Sequence, residues 1–162
     1  MTTVLDWAEK AGIENMKDQV TNADQIQSQV GTLLTLLISG ASAALYFSMQ
    51  HPNLRITALA VSLWLLCLAI WLALKCWMYG DFPSVWNEPK NLNQKGYKLD
   101  ALRQYELENL QQRITDAMNL NFTKTQRINK CILATCLATP VIGIIVWLVA
   151  ESGFCALAQV AG

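Results

Sequence analysis

The chain has 162 residues, of which 53% are apolar and 15% are charged, and its twelve basic and twelve acidic side chains cancel. That length fits a single domain, and the high apolar and low charged fractions set the chain apart from ordinary soluble domains. The charges are unevenly spread, since none lies between Asp24 and Arg55, in residues 56–74 or in residues 131–150. Each gap is close to or above the roughly 20 apolar residues with which a helix crosses a bilayer.

We therefore predict an all-α membrane protein with three transmembrane helices, at 30–49, 56–74 and 131–150, and with a cytosolic helical extension. The alternative is a soluble bundle with buried helices. A helix in such a bundle keeps one polar face, because a domain of this size cannot surround three helices with protein. The three segments are apolar on all sides, which favours the membrane.

Residues 1–29 form a predicted cytosolic helical segment ahead of the first span. Asn22 can cap a helix, and Gln25 three residues later completes a box-like pattern, so a new helix is expected to start near Ala23. Upstream, apolar side chains recur near one face and predict packing against a helix of the later loop. They are Leu5, Ile13, Met16 and Val20.

Hydroxyl side chains recur within the first span at spacings of three to four residues, which puts them on one helical face. These candidates for lining an aqueous path are Thr32, Thr35, Ser39 and Ser42. Small residues four apart also occur in two spans and allow helices to approach closely, within one subunit or between subunits. They are Gly40 and Ala44 in the first span, and Ala134 and Ala138 in the third.

The segment after the second span starts a long loop, residues 75–130. Trp77 stands where the second span meets the membrane interface, a position that tryptophan favours. Two prolines and a glycine between Gly80 and Pro89 exclude a helix there. Phe82 and Trp86 are large apolar groups in this polar stretch. They either pack onto helices at the bilayer surface or form one wall of a ligand or partner site.

From Asp100 onwards one helix is predicted to run on into the third span, because neither glycine nor proline occurs from Ala101 to Thr139. Leu107, Leu110 and Ile114 form an apolar stripe on its first half, which predicts a bundle of helix ends within one subunit or between several. Pro140 should kink the third span. Residues 151–162 are expected to form an external tail.

The basic residues predict the orientation of the chain. Nine of the twelve lie in the 75–130 loop and two precede the first span, whereas Arg55 alone lies in the turn between the first two spans. Because basic loops stay in the cytosol, the N-terminus and the 75–130 loop are predicted to be cytosolic and the C-terminus external. We expect a multi-pass protein of a bacterial inner membrane.

The sequence carries no pattern that predicts catalysis. His51 is the single histidine, the five cysteines form no closely spaced pair, and no phosphate-binding glycine loop occurs. The spans also lack ionisable side chains at depth, which argues against a proton-coupled transporter. We expect a non-enzymatic protein with no cofactor, no metal and no nucleic-acid partner.

The layout resembles that of small bacterial membrane proteins of phage defence. Two closely spaced spans follow a polar N-terminal helix, and a long charged helix follows the loop, from Tyr105 through Asn119-Leu120-Asn121 to Asn129. This order is similar to the two-span SLATT effectors and to the transmembrane effectors of Pycsar systems, although this chain adds a third span. The resemblance implies a membrane part that assembles and breaches the inner membrane after a nucleotide-sensing partner responds.

We therefore predict a homo-oligomeric pore-forming or membrane-disrupting effector in contact with membrane lipid. The alternative is a membrane scaffold or accessory subunit whose cytosolic helix anchors a soluble protein. A pore needs a polar face on one span, whereas a scaffold needs only the cytosolic helix.

Overall fold

The computed structural model describes residues 4–77, 82–85, 96 and 98–160, with side chains described up to residue 152. Within these ranges the chain is all-α and contains no strand. Three helical stretches are long and apolar enough to cross a membrane: Val4–Gln50, Pro52–Trp77 and Leu99–Ser152. The all-α architecture with three spans is thereby confirmed.

The first helix, α1, covers Val4–Gln50 without interruption. The predicted new start near Ala23 is wrong, because the helix continues through Asn22, which stays exposed to solvent on its surface. A capping side chain marks a helix start only where the preceding backbone leaves helical geometry, and nothing upstream forces it to do so. The helix ends at His51, whose φ of −120° and ψ of 88° suit the residue before a proline.

The second span follows almost at once. A single 3₁₀ turn, Pro52–Leu54, leads into α2, Arg55–Leu72, and a π-helical turn, Ala73–Trp77, completes it. The connection is too short to let α2 leave α1, so the two helices form an antiparallel hairpin. Ser62 fastens this hairpin, because its Oγ donates a hydrogen bond of 2.8 Å to the backbone oxygen of Ala41.

The last stretch comprises α3, Leu99–Leu133, a π-helical turn, Ala134–Ala138, and α4, Thr139–Val160. The π turn ends two residues before Pro140, whose ring has no N–H and would clash with the carbonyl oxygen four residues earlier in a regular α-helix. A widened turn relieves that clash and keeps the stretch helical. The helix also continues to Val160, so the expected tail after residue 150 is helical over most of its length.

The chain divides into two compact units, to which both α1 and α3 contribute. Unit 1 consists of Met1–Gln27 and Gly80–Thr125, and unit 2 of Ser28–Tyr79 and Gln126–Gly162. The core of unit 1 is formed by Met16 of α1 with Leu110, Ile114 and Ala117 of α3. Phe82 packs against this core, together with Ile13 and Val85.

Polar contacts align α1 and α3 within unit 1. Arg103 donates hydrogen bonds to Asp6 and, at 2.8 Å, to Glu9. Asn121 Nδ2 donates one of 3.0 Å to the backbone oxygen of Gln19, further along both helices. The contact later in α1, at Gln19, is also the later one in α3, at Asn121, so the two helices run parallel. Hydrogen bonds to Glu9 and Asp6 also raise the pKa of Arg103 above its ordinary value, so it stays a cation.

Glycine permits the closest approach between the two helices of unit 1. A methyl group placed on Gly12 would lie 2.7 Å from Leu110 Cδ2, well inside van der Waals contact. In unit 2, Gly40 is similarly close to α2, where a methyl group would lie 3.3 Å from Leu65 Cδ1. Small residues on α1 thus serve packing inside one subunit in both units.

Candidate functional site

The most distinctive surface of unit 2 is a line of hydroxyl side chains on α1. All four predicted residues, Thr32, Thr35, Ser39 and Ser42, are exposed. Two further exposed hydroxyl residues extend the line at the same alternation of three and four. The complete hydroxyl row is Ser28, Thr32, Thr35, Ser39, Ser42 and Tyr46.

The hydroxyl row lies opposite the face with which α1 packs inside its own subunit. The buried residues of this part of the helix are Val30, Leu37, Ala41 and Ser48. At 100° per residue, the centre of the hydroxyl row is about 160° around the helix from the centre of these buried residues. Neither α2 nor α3 therefore covers the row, and what meets it is lipid, water or another molecule.

Local hydrogen bonds satisfy the donors of three of the six residues in the row. Thr32, Thr35 and Ser42 each donate to the backbone oxygen four residues earlier, at 3.1, 3.0 and 2.9 Å. Tyr46 instead accepts, from Gln50 Nε2 at 2.6 Å. A hydroxyl that donates inwards keeps its oxygen lone pairs directed away from the helix. At Thr32, Thr35 and Ser42 the row can therefore accept hydrogen bonds from water or a neighbouring helix without exposing an unsatisfied donor to lipid.

Large apolar side chains flank the hydroxyl row on both sides. Leu36 and Phe47 lie on one flank, and Ile38 and Leu45 lie on the other, all of them exposed. By helical geometry each flank is about 90° from the centre of the row. This arrangement suits a helix whose two apolar flanks contact neighbouring helices or lipid while the polar row between them faces water.

A groove of ≈ 410 Å³ opens beside the row between α1 and α3. We call it the boundary groove, since it lies at the Val30 end of the first span. It is lined by Ser28, Gln29, Thr32, Leu33, Leu36, Ile128, Asn129 and Ile132. Its lining carries no charge, and it combines the two amides with aliphatic side chains.

Trp77 stands at the same end of unit 2, on the π turn that completes α2. It is 54% exposed, and its Cζ3 would lie 3.6 Å from a methyl group on Gly31. Arg127 holds this turn by donating a hydrogen bond of 2.6 Å to the backbone oxygen of Lys75. A guanidinium at the carboxyl end of a helix also meets the negative end of the helix dipole.

The residues predicted for oligomer packing lie mainly inside the subunit. Leu110 and Ile114 are 4% and 3% exposed in the core of unit 1, while Leu107 is half-buried. Gly40, Ala44, Ala134 and Ala138 are half-buried in unit 2, the last two within the second π turn. Of the two aromatic residues predicted for the loop, Phe82 packs on the core of unit 1, and Trp86 lies outside the described residues.

A second groove, which we call the N-terminal groove, occurs in unit 1. Its volume is ≈ 490 Å³. Small residues of α1 form one side, α3 forms the other, and Trp7, 71% exposed, stands at its edge. The lining is Trp7, Ala8, Ala11, Gly12, Asn15, Leu107, Glu108, Leu110, Gln111 and Ile114.

Two of these features could not be found by the sequence patterns that predicted the spans. The contact of Trp77 with Gly31 and the boundary groove are assembled from residues about fifty and one hundred positions apart in the chain. The extension of the hydroxyl row to Ser28 and Tyr46 could have been found, since both continue the spacing of three and four.

The fold and these surfaces define a helical multi-pass membrane protein. Among the described residues, no group of three or more His, Cys, Asp or Glu side chains could hold a metal ion. No known family matches the chain, and neither the curated proteins nor the solved structures include a significantly similar one.

Proposed function

We propose that the chain is a non-enzymatic, oligomeric protein of a bacterial inner membrane that forms a pore lined by the hydroxyl row. The observation that carries this proposal is the exposure of a continuous polar line on the face of α1 turned away from its own subunit. Lipid offers such oxygens no hydrogen bonds, whereas water in a pore does.

The orientation belongs to the same proposal. The N-terminus and the basic 75–130 segment lie in the cytosol, because eleven of twelve basic residues fall on that side. A role as an effector of phage defence is supported by the order of its elements, in which a polar helix and a long charged helix adjoin closely spaced spans. In that role a cytosolic, nucleotide-sensing partner triggers assembly, and the row opens to water only then.

The row itself sets the conducting properties. It carries oxygen acceptors and no charge along the span, so it hydrates the path without a ring of charge to select between cations and anions. A pore of this kind dissipates gradients rather than passing one ion. Loss of the membrane potential is the expected consequence for the cell.

The test is dye entry into cells that overexpress the protein. A variant with Thr32→Val, Thr35→Val, Ser39→Ala and Ser42→Ala nearly keeps side-chain shape but removes the four central oxygens of the row, so dye entry should fall to the level of cells without the protein. Ser48→Ala is the matched control, because Ser48 is a buried serine on the opposite face of the same helix. Dye exclusion by the wild type, also after phage challenge and with neighbouring genes co-expressed, would contradict the pore.

A scaffold is the second candidate, and the N-terminal groove favours it. Its small α1 residues and apolar floor fit the apolar face of a partner's amphipathic helix, with Trp7 as an edge contact. On this alternative, Trp7→Ala reduces the amount of a soluble partner that co-purifies, and no variant of the hydroxyl row changes dye entry. The pore predicts the reverse pattern.

A further inference from the structure

We propose that copies of this chain assemble head to tail in a ring, in which Trp77 of one copy occupies the boundary groove of the next. This inference rests on the proposed function only insofar as the chain is taken to be oligomeric. It specifies which surfaces of neighbouring copies are in contact and why the copies form a closed ring.

The two surfaces lie on different sides of α1. Trp77 packs beside Gly31, whereas the α1 wall of the boundary groove is supplied by Ser28, Gln29, Thr32, Leu33 and Leu36. At 100° per residue, Gly31 is about 130° around the helix from the centre of that wall. A projection on one side and a depression on another allow head-to-tail contacts between unlike surfaces, rather than the like-to-like contacts of a symmetric pair.

The two surfaces also lie at the same height. Gly31, which marks the level of the indole, falls between Ser28 and Leu36, the first and last α1 residues of the groove. All copies of a membrane protein share one orientation, so a symmetric assembly has its axis along the membrane normal. Rotation about that axis does not change the depth of a residue in the membrane. The indole of one copy and the groove of its neighbour therefore lie at the same depth.

The chemistry of the groove suits an indole. Leu33, Leu36 and Ile132 provide apolar contact for the ring faces, while the amide oxygens of Gln29 and Asn129 can accept a hydrogen bond from the Nε1–H. The lining has no charge that the apolar ring would desolvate. Tryptophan in a pocket is also among the residue types enriched where one side chain dominates the affinity of an interface.

The contact leaves the hydroxyl row where a pore requires it. From the centre of the row, Gly31 lies about 60° to one side and the groove wall about 70° to the other. Ser28 and Thr32 belong to the groove, so neighbours that engage both sides leave the rest of the row, Thr35, Ser39, Ser42 and Tyr46, facing neither of them. In a closed ring, that face looks towards the axis.

Two single variants test the contact, one on each surface. Trp77→Ala removes the projection, and Asn129→Trp fills the groove at an exposed position of α3. Each should raise the dissociation constant between subunits by about 30-fold or more, the change expected for a dominant interface residue. Trp147→Ala, at an exposed tryptophan of α4, is the matched control and should keep the wild-type mass in native mass spectrometry.

A mixture of the two variants gives the decisive result. The Asn129→Trp chain retains Trp77 and the Trp77→Ala chain retains the groove, so together they should form a heterodimer that cannot close into a ring. Differently tagged chains should co-purify as that dimer although neither variant assembles alone. A symmetric pair of like surfaces would give no such rescue.

The outcomes separate this inference from the proposed function. An oligomeric wild type with an unchanged mass for Trp77→Ala and Asn129→Trp would overturn the inference, leave the pore intact and assign Trp77 to the lipid interface. A monomeric wild type, in detergent and in lipid nanodiscs, would overturn both. Far-ultraviolet circular dichroism of each variant separates loss of assembly from loss of folding, and the groove variant remains informative if Trp77→Ala unfolds through its contact beside Gly31.

Discussion

At the level of single residues, positions close together in α1 have different surroundings, because one face of the helix packs inside the subunit and the other is exposed. Leu37 is 2% exposed and fills the space against its own subunit, whereas Ser39, two residues on, is exposed in the hydroxyl row. Two residues correspond to about 160° around the helix. The same polar substitution should therefore have different consequences at these neighbouring positions.

We expect Leu37→Asn to lower stability and Ser39→Asn to leave it nearly unchanged. The first change replaces a buried apolar side chain by an amide, at a cost of roughly 2–5 kcal/mol. The second places the amide where water or a neighbouring helix can meet it, and in a pore it should alter leakage. The measurement is the thermal midpoint of each variant in detergent by size-exclusion chromatography after heating. Equal losses at both positions would mean that the row is packed against something in the subunit.

At the level of elements, α1 and α3 form a parallel pair. Apolar side chains form a seam between the two helices, and polar contacts occur near both ends of this seam. Leu110 and Ile114 are buried in this seam, and Asn121 ties the register by its hydrogen bond to Gln19. A buried polar group of this kind favours the one register in which it finds its partner. The apolar stripe predicted on α3 thus packs inside the subunit.

Replacing both Leu110 and Ile114 by Asp should unfold unit 1. An isolated buried charge costs several kcal/mol, and the seam would hold two of them among apolar side chains such as Ile13 and Met16. The protein should accumulate poorly or lose helical signal and protease resistance over residues 4–27. The matched control is Gln111→Asp with Thr115→Asp, which adds the same charges at exposed positions of the same helix. Similar damage from both double variants would point to charge on α3 in general rather than to its seam.

At the level of the whole molecule, three spans put the two ends of the chain on opposite sides of the membrane. Which side is which depends on the basic residues, nine of which lie between the second and third spans. Retention of a basic segment in the cytosol follows from the positive-inside rule. The orientation stays a prediction that a reporter can decide.

A fluorescent protein that folds only in the cytosol should be bright after Lys98 and dark after Gly162. The expected contrast follows from the odd number of spans and the eleven-to-one distribution of basic residues. A reporter that is active only outside the cytosol should give the opposite pattern at the same two positions. Cytosolic fluorescence at both fusions would require an even number of spans and would contradict the topology.

The spans are set by the sequence alone. Uninterrupted apolar windows of sufficient length identify them, because burial in lipid depends on the average polarity of a segment and on its length, both of which are one-dimensional properties. The hydroxyl spacing on α1 is equally visible in one dimension. The predicted helix start near Ala23 is wrong, since a capping residue such as Asn22 acts only if the chain breaks before it.

Only the tertiary structure decided which face of each helix is turned inwards. Small and hydroxyl residues lie all around α1. A small residue such as Gly40 allows a close approach of a helix from the same subunit as readily as of one from another subunit. The contact of Gly40 with Leu65 and the hydrogen bond from Ser62 to Ala41 turn one side of α1 towards α2. That choice leaves the hydroxyl row outside and sets Trp77 and the boundary groove on different sides of α1, because a spatial relation between distant segments exists only once their packing is fixed.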